Sequence, residues 1–238
     1  MADGYSRRPR LTKGALIRLA DGIAGPLPQA IAFQYNPETL SRKLTPWQPP
    51  AEDAAAQQGG QTDPQAQPYN PEEVIDVAIE FDATDQLETE DPRAVAVGVA
   101  DRLAALEILL YPDTDSAGLM TDLVASLTGA ASGAVPRSTV PVVLFAWGTG
   151  LVVPVRLTSY AVEEQAFSNR LYPIRAKVTV SMQVLTDLAF PDTGANAQTG
   201  LSAEIARAAY RYTMAQRKAL GIAAVGHGIE PLLNLLSL

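Results

Sequence analysis

The sequence predicts a mainly β chain with inserted helices (α+β): an antiparallel barrel or sandwich, a helix packed against it, and a helical C-terminal extension. Three observations carry this. Residues 74 to 82 alternate strictly between apolar and polar side chains, residues 140 to 186 read as three strands joined by short turns, and helical spacing is confined to blocks after Asp91 and near Ser202. A length of 238 residues allows one elaborated domain or two small ones, either able to bury a core.

Each element follows from its residues. Ala15 to Leu19 is a short strand closed by the turn signal Asp21-Gly22. Ala30 to Tyr35 is a second, ended by Asn36-Pro37 because proline restricts the residue before it and cannot donate to a ladder. Pro46 to Pro71 shifts to Pro, Gln, Ala, Gly and acid, and reads as a loop unable to form a core. From Val74 to Asp82, Ile75, Val77, Ile79 and Phe81 share one face while Asp76, Ala78, Glu80 and Asp82 share the other, as in a half-buried antiparallel strand. Asp91-Pro92 supplies an N-cap and a proline at the first helical position, and Val95, Val99, Leu103, Leu106 and Leu110 recur at helical spacing up to Tyr111-Pro112. Leu119 to Leu127 adds a shorter helix.

Val140 to Trp147, a Gly148-Thr149-Gly150 turn, Leu151 to Val162 and Leu171 to Thr186 then form an antiparallel meander. In its last strand Ile174, Ala176, Val178, Val180, Met182 and Val184 oppose Arg175, Lys177, Thr179, Ser181 and Gln183. After Asp192-Thr193-Gly194 a final helix starts near Ser202 as N-cap, with Glu204 in its first turn, Arg217 and Lys218 in its last, and Gly221 as its stop. The leucine-rich tail Ile229 to Leu238 is expected to dock on a core or a neighbour.

Composition excludes much chemistry. With no Cys there is no thiolate metal site, iron–sulfur cluster, disulfide framework or Cys nucleophile, and a single His removes two-His metal motifs. Net charge is -8, and residues 51 to 130 hold 17 acidic side chains against 2 basic ones, which argues against nucleic-acid binding. The bland reading of that segment is a solvated acidic face, and the sharper one a surface that steers a basic partner. The longest apolar stretch, Val140 to Val155, is too short and too interrupted by Pro and Gly to span a bilayer.

Individual site candidates fail on their own chemistry. Asp113 to Gly118 opens like a calcium loop, but Ala117 and Val124 stand where ligands belong. Gly148-Thr149-Gly150 lacks the third glycine of a dinucleotide fingerprint, with Val153 in its place, and reads as a hairpin turn. His227, in a Gly-flanked loop, is a lone imidazole without evident partners. Trp47 and Trp147 read as packing residues. Asp76, Glu80 and Asp82 lie on the solvent face of their strand, so a hydrolase built on them is a distant reading. No catalytic residue, cofactor or metal is expected.

Two stretches resemble a known family. Phe33-Gln34-Tyr35-Asn36-Pro37-Glu38-Thr39-Leu40-Ser41 is similar to the F-x-x-N-P-x-x-x-S opening of contractile injection system tube proteins, the baseplate tube-initiator group related to phage tail adaptors. Pro141 to Gly148 is similar to its P-x-V-x-F-x-W-G strand, and Pro173-Ile174-Arg175-Ala176-Lys177-Val178 to its P-x-R-A-x-V sequence. Leu110-Tyr111-Pro112 matches the end of the family's helix, and the likeness covers most of residues 14 to 188 in order. Many relatives continue into a LysM domain, where this chain has a helix and a leucine-rich tail.

The resemblance implies a tail-tube-like β domain over 1–190, with a 46–71 loop and a 92–128 helical insertion, followed by a 191–238 extension. It implies a structural, non-enzymatic ring, a homohexamer, joining the inner tube to the spike hub. Partners would be the tube protein, the spike or hub protein and neighbouring baseplate proteins, without nucleic acid or membrane insertion. The setting would be the bacterial cytoplasm and then a phage tail-like particle. Structural or interface roles fall on Phe33, Asn36, Pro37, Trp147, Gly148 and Arg175, and on Leu232 and Leu235 of the tail. The alternative is a monomeric acidic β-barrel binding module that holds a basic partner or effector.

Overall fold

A computed structural model describes residues 12–20, 27–48, 65, 67–112, 140–191 and 200–236. Its strands are β1 (Ala15–Ala20), β2 (Leu27–Ala32), β3 (Leu40–Thr45), β4 (Glu72–Asp82), β5 (Val142–Trp147), β6 (Leu151–Phe167) and β7 (Pro173–Val184). Among the described residues they form one seven-stranded sheet, in the order β2-β1-β5-β6-β7-β4-β3, with every pairing antiparallel.

Alternation places the core. β4 meets β7 so that Ile75 lies opposite Met182, Val77 opposite Val180, Ile79 opposite Val178 and Phe81 opposite Ala176. All eight are buried, and each large one contributes roughly 1.5–3 kcal/mol by leaving water. The same cluster takes in Leu16 of β1, Ile31 of β2, Phe145 of β5 and Val153, Val155 and Leu157 of β6, so strands near both edges of the sheet share one core.

Three strands differ from expectation. β2 begins at Leu27 and ends at Ala32, upstream of the expected Ala30 to Tyr35. Pro28 is tolerated because β2 is an edge, and beyond Ala32 the chain turns Phe33 inward. β3 carries no expectation at all: Leu-Ser-Arg-Lys-Leu-Thr lacks apolar alternation, and its residues are mostly exposed. Its Arg42 and Lys43 put charge on the second edge, which discourages unplanned strand pairing. β6 runs five residues past the expected Val162, to Phe167.

A short helix α1 (Thr84–Glu88) carries no expectation, and α2 (Pro92–Val97) and α3 (Ala100–Glu107), with a 3₁₀ turn at Ile108–Leu110, replace the single helix expected from Asp91 to Tyr111. The expected cap is present: the Asp91 carboxylate accepts from the amides of Arg93 and Ala94. The break falls at Gly98, whose φ is 60° and whose absent Cβ would lie 2.1 Å from the carbonyl oxygen of Pro173. Only glycine fits, and the next amide, Val99, donates to that same carbonyl at 2.9 Å. The apolar row therefore splits, with Val95 exposed and Val99, Leu103, Leu106 and Leu109 buried against the sheet.

The last helix, α4 (Leu201–Leu236), spans 36 residues and about 54 Å. It passes through Gly221, Gly226, Gly228 and Pro231, so Gly221 is not a stop, His227 is helical rather than in a loop, and the leucine-rich tail continues the helix. Glycine permits a stop but compels none when alanines and leucines on both sides favour helix. Ser202, expected as N-cap, lies inside the first turn and is buried. The Asp21-Gly22 turn, the Asp113 to Gly118 loop, the Leu119 to Leu127 helix and most of the Pro46 to Pro71 stretch lie outside the described residues.

Candidate assembly surfaces

Where β2 ends, three aromatics and an asparagine fix the start of the sheet. Phe33 is wholly buried, with its ring 6.4 Å from those of both Phe145 and Trp147, and Trp147 stacks on Phe145 at 6.1 Å. The Phe33 amide donates to Gly14 at 2.8 Å. Asn36 then acts as a clip: its Oδ1 accepts from the Gly14 amide at 3.0 Å and its Nδ2 donates to the Thr12 carbonyl at 2.8 Å. Its side chain thus serves as a strand partner for the residues leading into β1, a job that needs both a donor and an acceptor. Pro37 borders a small polar hollow with Glu80 and Lys177, and Gly148 takes a left-handed φ of 65° in the β5–β6 turn.

Gln34 performs the same kind of mimicry across the sheet. Its Nε2 donates to the Asp82 carbonyl at 2.6 Å, and the Asp82 amide donates back to its Oε1 at 3.1 Å. The amide therefore joins the end of edge strand β2 to the end of β4, with Arg102 of α3 donating to the same Oε1 at 2.5 Å. Asp82 meets Arg175 of β7 at 2.8 Å. Burial pushes the Asp82 carboxyl up, but hydrogen bonds from Thr84 and the charge of Arg175 outweigh this and hold it below the usual carboxylate range.

The outer face of β4 is correspondingly quiet. Glu80 pairs in register with Lys177, and Asp76 lies between Ser41 and Ser181. Carboxylates met by cations one strand away stabilise a sheet face.

A third constellation escaped sequence reasoning. Glu73 lies on the inward face of β4, and its side chain is only 5% exposed. Arg217 of α4 grips it as a two-pronged fork, each prong 2.8 Å long, and Arg42 of β3 adds a further bond of 2.8 Å. Burial raises the Glu73 carboxyl, while Arg217 first and Arg42 second lower it further, leaving it below its ordinary value. Arg217 is thus no solvent-facing helix-terminal charge but the bolt that fastens α4 to the sheet.

Two neighbouring contacts reinforce it. Thr213 donates to the Val152 carbonyl at 2.6 Å and accepts from the Val152 amide at 2.9 Å, and Tyr212 donates to Thr149 at 2.8 Å. Val152 precedes the β6–β7 ladder, which begins at Val155, so Thr213 satisfies backbone groups that no strand reaches.

A contractile injection system tube protein model matches residues 11–189, which span the whole sheet and helices α1 to α3. The chain belongs to that family. It is a structural tube-related protein, and its partners are other components of such an injection system. No curated protein matches the chain. Helix α4 begins beyond the matched span. Among the described residues no helix is long and apolar enough to cross a membrane, and no group of three or more His, Cys, Asp or Glu is placed to hold a metal ion.

The tube protein's expected motif residues fall into one packed group, a single arginine and a separate pair. Phe33, Asn36, Trp147 and Gly148 gather at one end of β1, β2 and β5, whereas Arg175 serves the β4–β7 end. Leu232 and Leu235 lie on the far part of α4, where only the backbone is described.

Proposed function

We propose that this tube protein is the initiator at the baseplate end of the injection device, forming a sixfold ring that joins the inner tube to the spike hub. Residues 1–190 are its tube-like domain, and residues 191–238 are an extension that contacts the neighbouring baseplate through Leu232 and Leu235. The observation that supports the ring is the pairing of the sheet: among the described residues β2 and β3 each bond to a strand on one side only, leaving two edges. Sheets of adjacent subunits extend one another through such edges, and repetition of one step closes a ring.

Phe33, Asn36, Pro37, Trp147 and Gly148 hold one edge in position, and Arg175 braces the other end of the sheet. Purified protein added to soluble tube protein should abolish the lag before tubes appear and should cap one end of each tube, as seen by light scattering and electron microscopy. An unchanged lag with no capped ends would defeat the initiator reading. The rival, an acidic monomer that captures a basic partner, predicts a lone species whose binding collapses with salt. The cross-strand pairing of Glu80 and Asp82 with Lys177 and Arg175 speaks against it.

A further inference from the structure

The two ends of strand β7 carry matching features. At its start, the 166–172 turn from β6 exposes Phe167, Leu171 and Tyr172, with Leu171 80% exposed. This tip is firmly built. Ala166 and Leu171 hold left-handed φ values of 53° and 62°, a costly conformation for residues with a side chain. Ser168 sustains it by donating its amide to Tyr172 at 2.9 Å, accepting the Leu171 amide at its carbonyl at 3.0 Å, and accepting the Arg170 and Tyr172 amides at Oγ at 3.3 and 3.1 Å. Strain maintained by four bonds in order to display apolar side chains to water points to a contact.

At the other end, 12 residues and about 40 Å away, lies an open hollow of about 610 Å³. Trp47, Tyr69, Leu185, Leu188 and Ala189 line it, together with Glu72. Trp47 and Tyr69 meet edge to face at 6.3 Å, and Leu188 is 69% exposed. The tip's exposed side chains are largely apolar, and the hollow offers mostly apolar surface rimmed by Thr45, Gln48, Asn70, Gln183 and Thr186. The tip brings the cation Arg170, and the hollow holds the anion Glu72.

We propose that the 166–172 tip of one copy seats in the Trp47–Leu188 hollow of a second copy of this chain. Opposite ends of one strand cannot meet within a molecule, so the two surfaces complete each other only between molecules. The contact is heterologous: each copy gives its tip to one neighbour and its hollow to another, with aromatic side chains as anchors. It goes beyond the ring reading, because edges β2 and β3 flank the sheet whereas this contact runs along the strands.

The absence of native cysteine gives a clean test. Leu171→Cys protein is mixed with Leu188→Cys protein and oxidised gently. Both positions are exposed, so both variants fold, which melting curves verify. The expected result is a mixed 171–188 disulfide several-fold in excess of either like-with-like dimer. It should fall several-fold with Arg170→Glu in the first partner and recover with Glu72→Lys in the second. Dimers in random-collision proportions, or a yield indifferent to Arg170→Glu, would overturn the proposal. Electron microscopy of the untreated protein reports rings separately, so random disulfides alongside intact rings would remove this contact and leave the ring.

Discussion

Gln34 shows how one side chain can do the work of a strand. Its amide presents a donor and an acceptor to the backbone of Asp82, and a hydrophobic replacement of similar length leaves both unsatisfied. Gln34→Leu should therefore cost about 1–3 kcal/mol in urea unfolding, whereas Gln34→Glu, which keeps the acceptor toward Arg102, should cost less. Phe33→Ala opens a hole between Phe145 and Trp147 and should cost about 3–5 kcal/mol. The two effects need different readouts. Loss of Phe33 weakens the core as a whole, while loss of Gln34 should chiefly speed amide exchange in β2. The sequence displayed both residues inside one motif, yet nothing in F-x-x-N-P says that the glutamine bonds across 48 positions to Asp82. A side chain that imitates backbone has no periodicity to betray it.

The attachment of α4 to the sheet rests on Glu73, Arg217 and Arg42. Removing one partner of a buried ion pair strands the other, so Arg217→Ala should cost roughly 3 kcal/mol and free the helix to exchange. The pH dependence has a definite sign. The folded carboxyl lies below its ordinary value of 4.5, so its stabilisation is complete above that pH and is lost as pH falls through the lower folded value. Wild-type stability should drop across this acid window more steeply than that of Glu73→Gln, as thermal melts between pH 6 and 3 would show.

These elements also show what sequence could and could not carry. The alternation of β4 and β7 was legible because one face is buried and the other is wet. The Asp91 cap was legible because capping is local. β3 was not, because its place is set by pairing with β4 rather than by its own pattern. The break at Gly98 was not, since it answers to the carbonyl of Pro173, 75 positions away, and helical spacing alone continues through it. Glu73 read as one more acid in an acidic segment until Arg42 and Arg217 arrived from distant stretches.

For the whole molecule, which carries a net charge of -8, the acids whose surroundings are described belong to local arrangements. Glu73 is clamped, Asp82 is paired with Arg175, Glu80 faces Lys177, and Asp91 caps a helix. Such a distribution suits a part that works by fitting between neighbours, as expected of a tube protein with two sheet edges unpaired among its described residues and a built tip. Mild salt should therefore leave assembled particles intact, whereas an acidic capture module would release its partner. The most direct test of the structural role is electron microscopy of sheathed particles carrying a label on this chain. The expected image has six labels in a ring where the inner tube meets the baseplate. Unlabelled junctions in particles that assemble normally without the protein would contradict it.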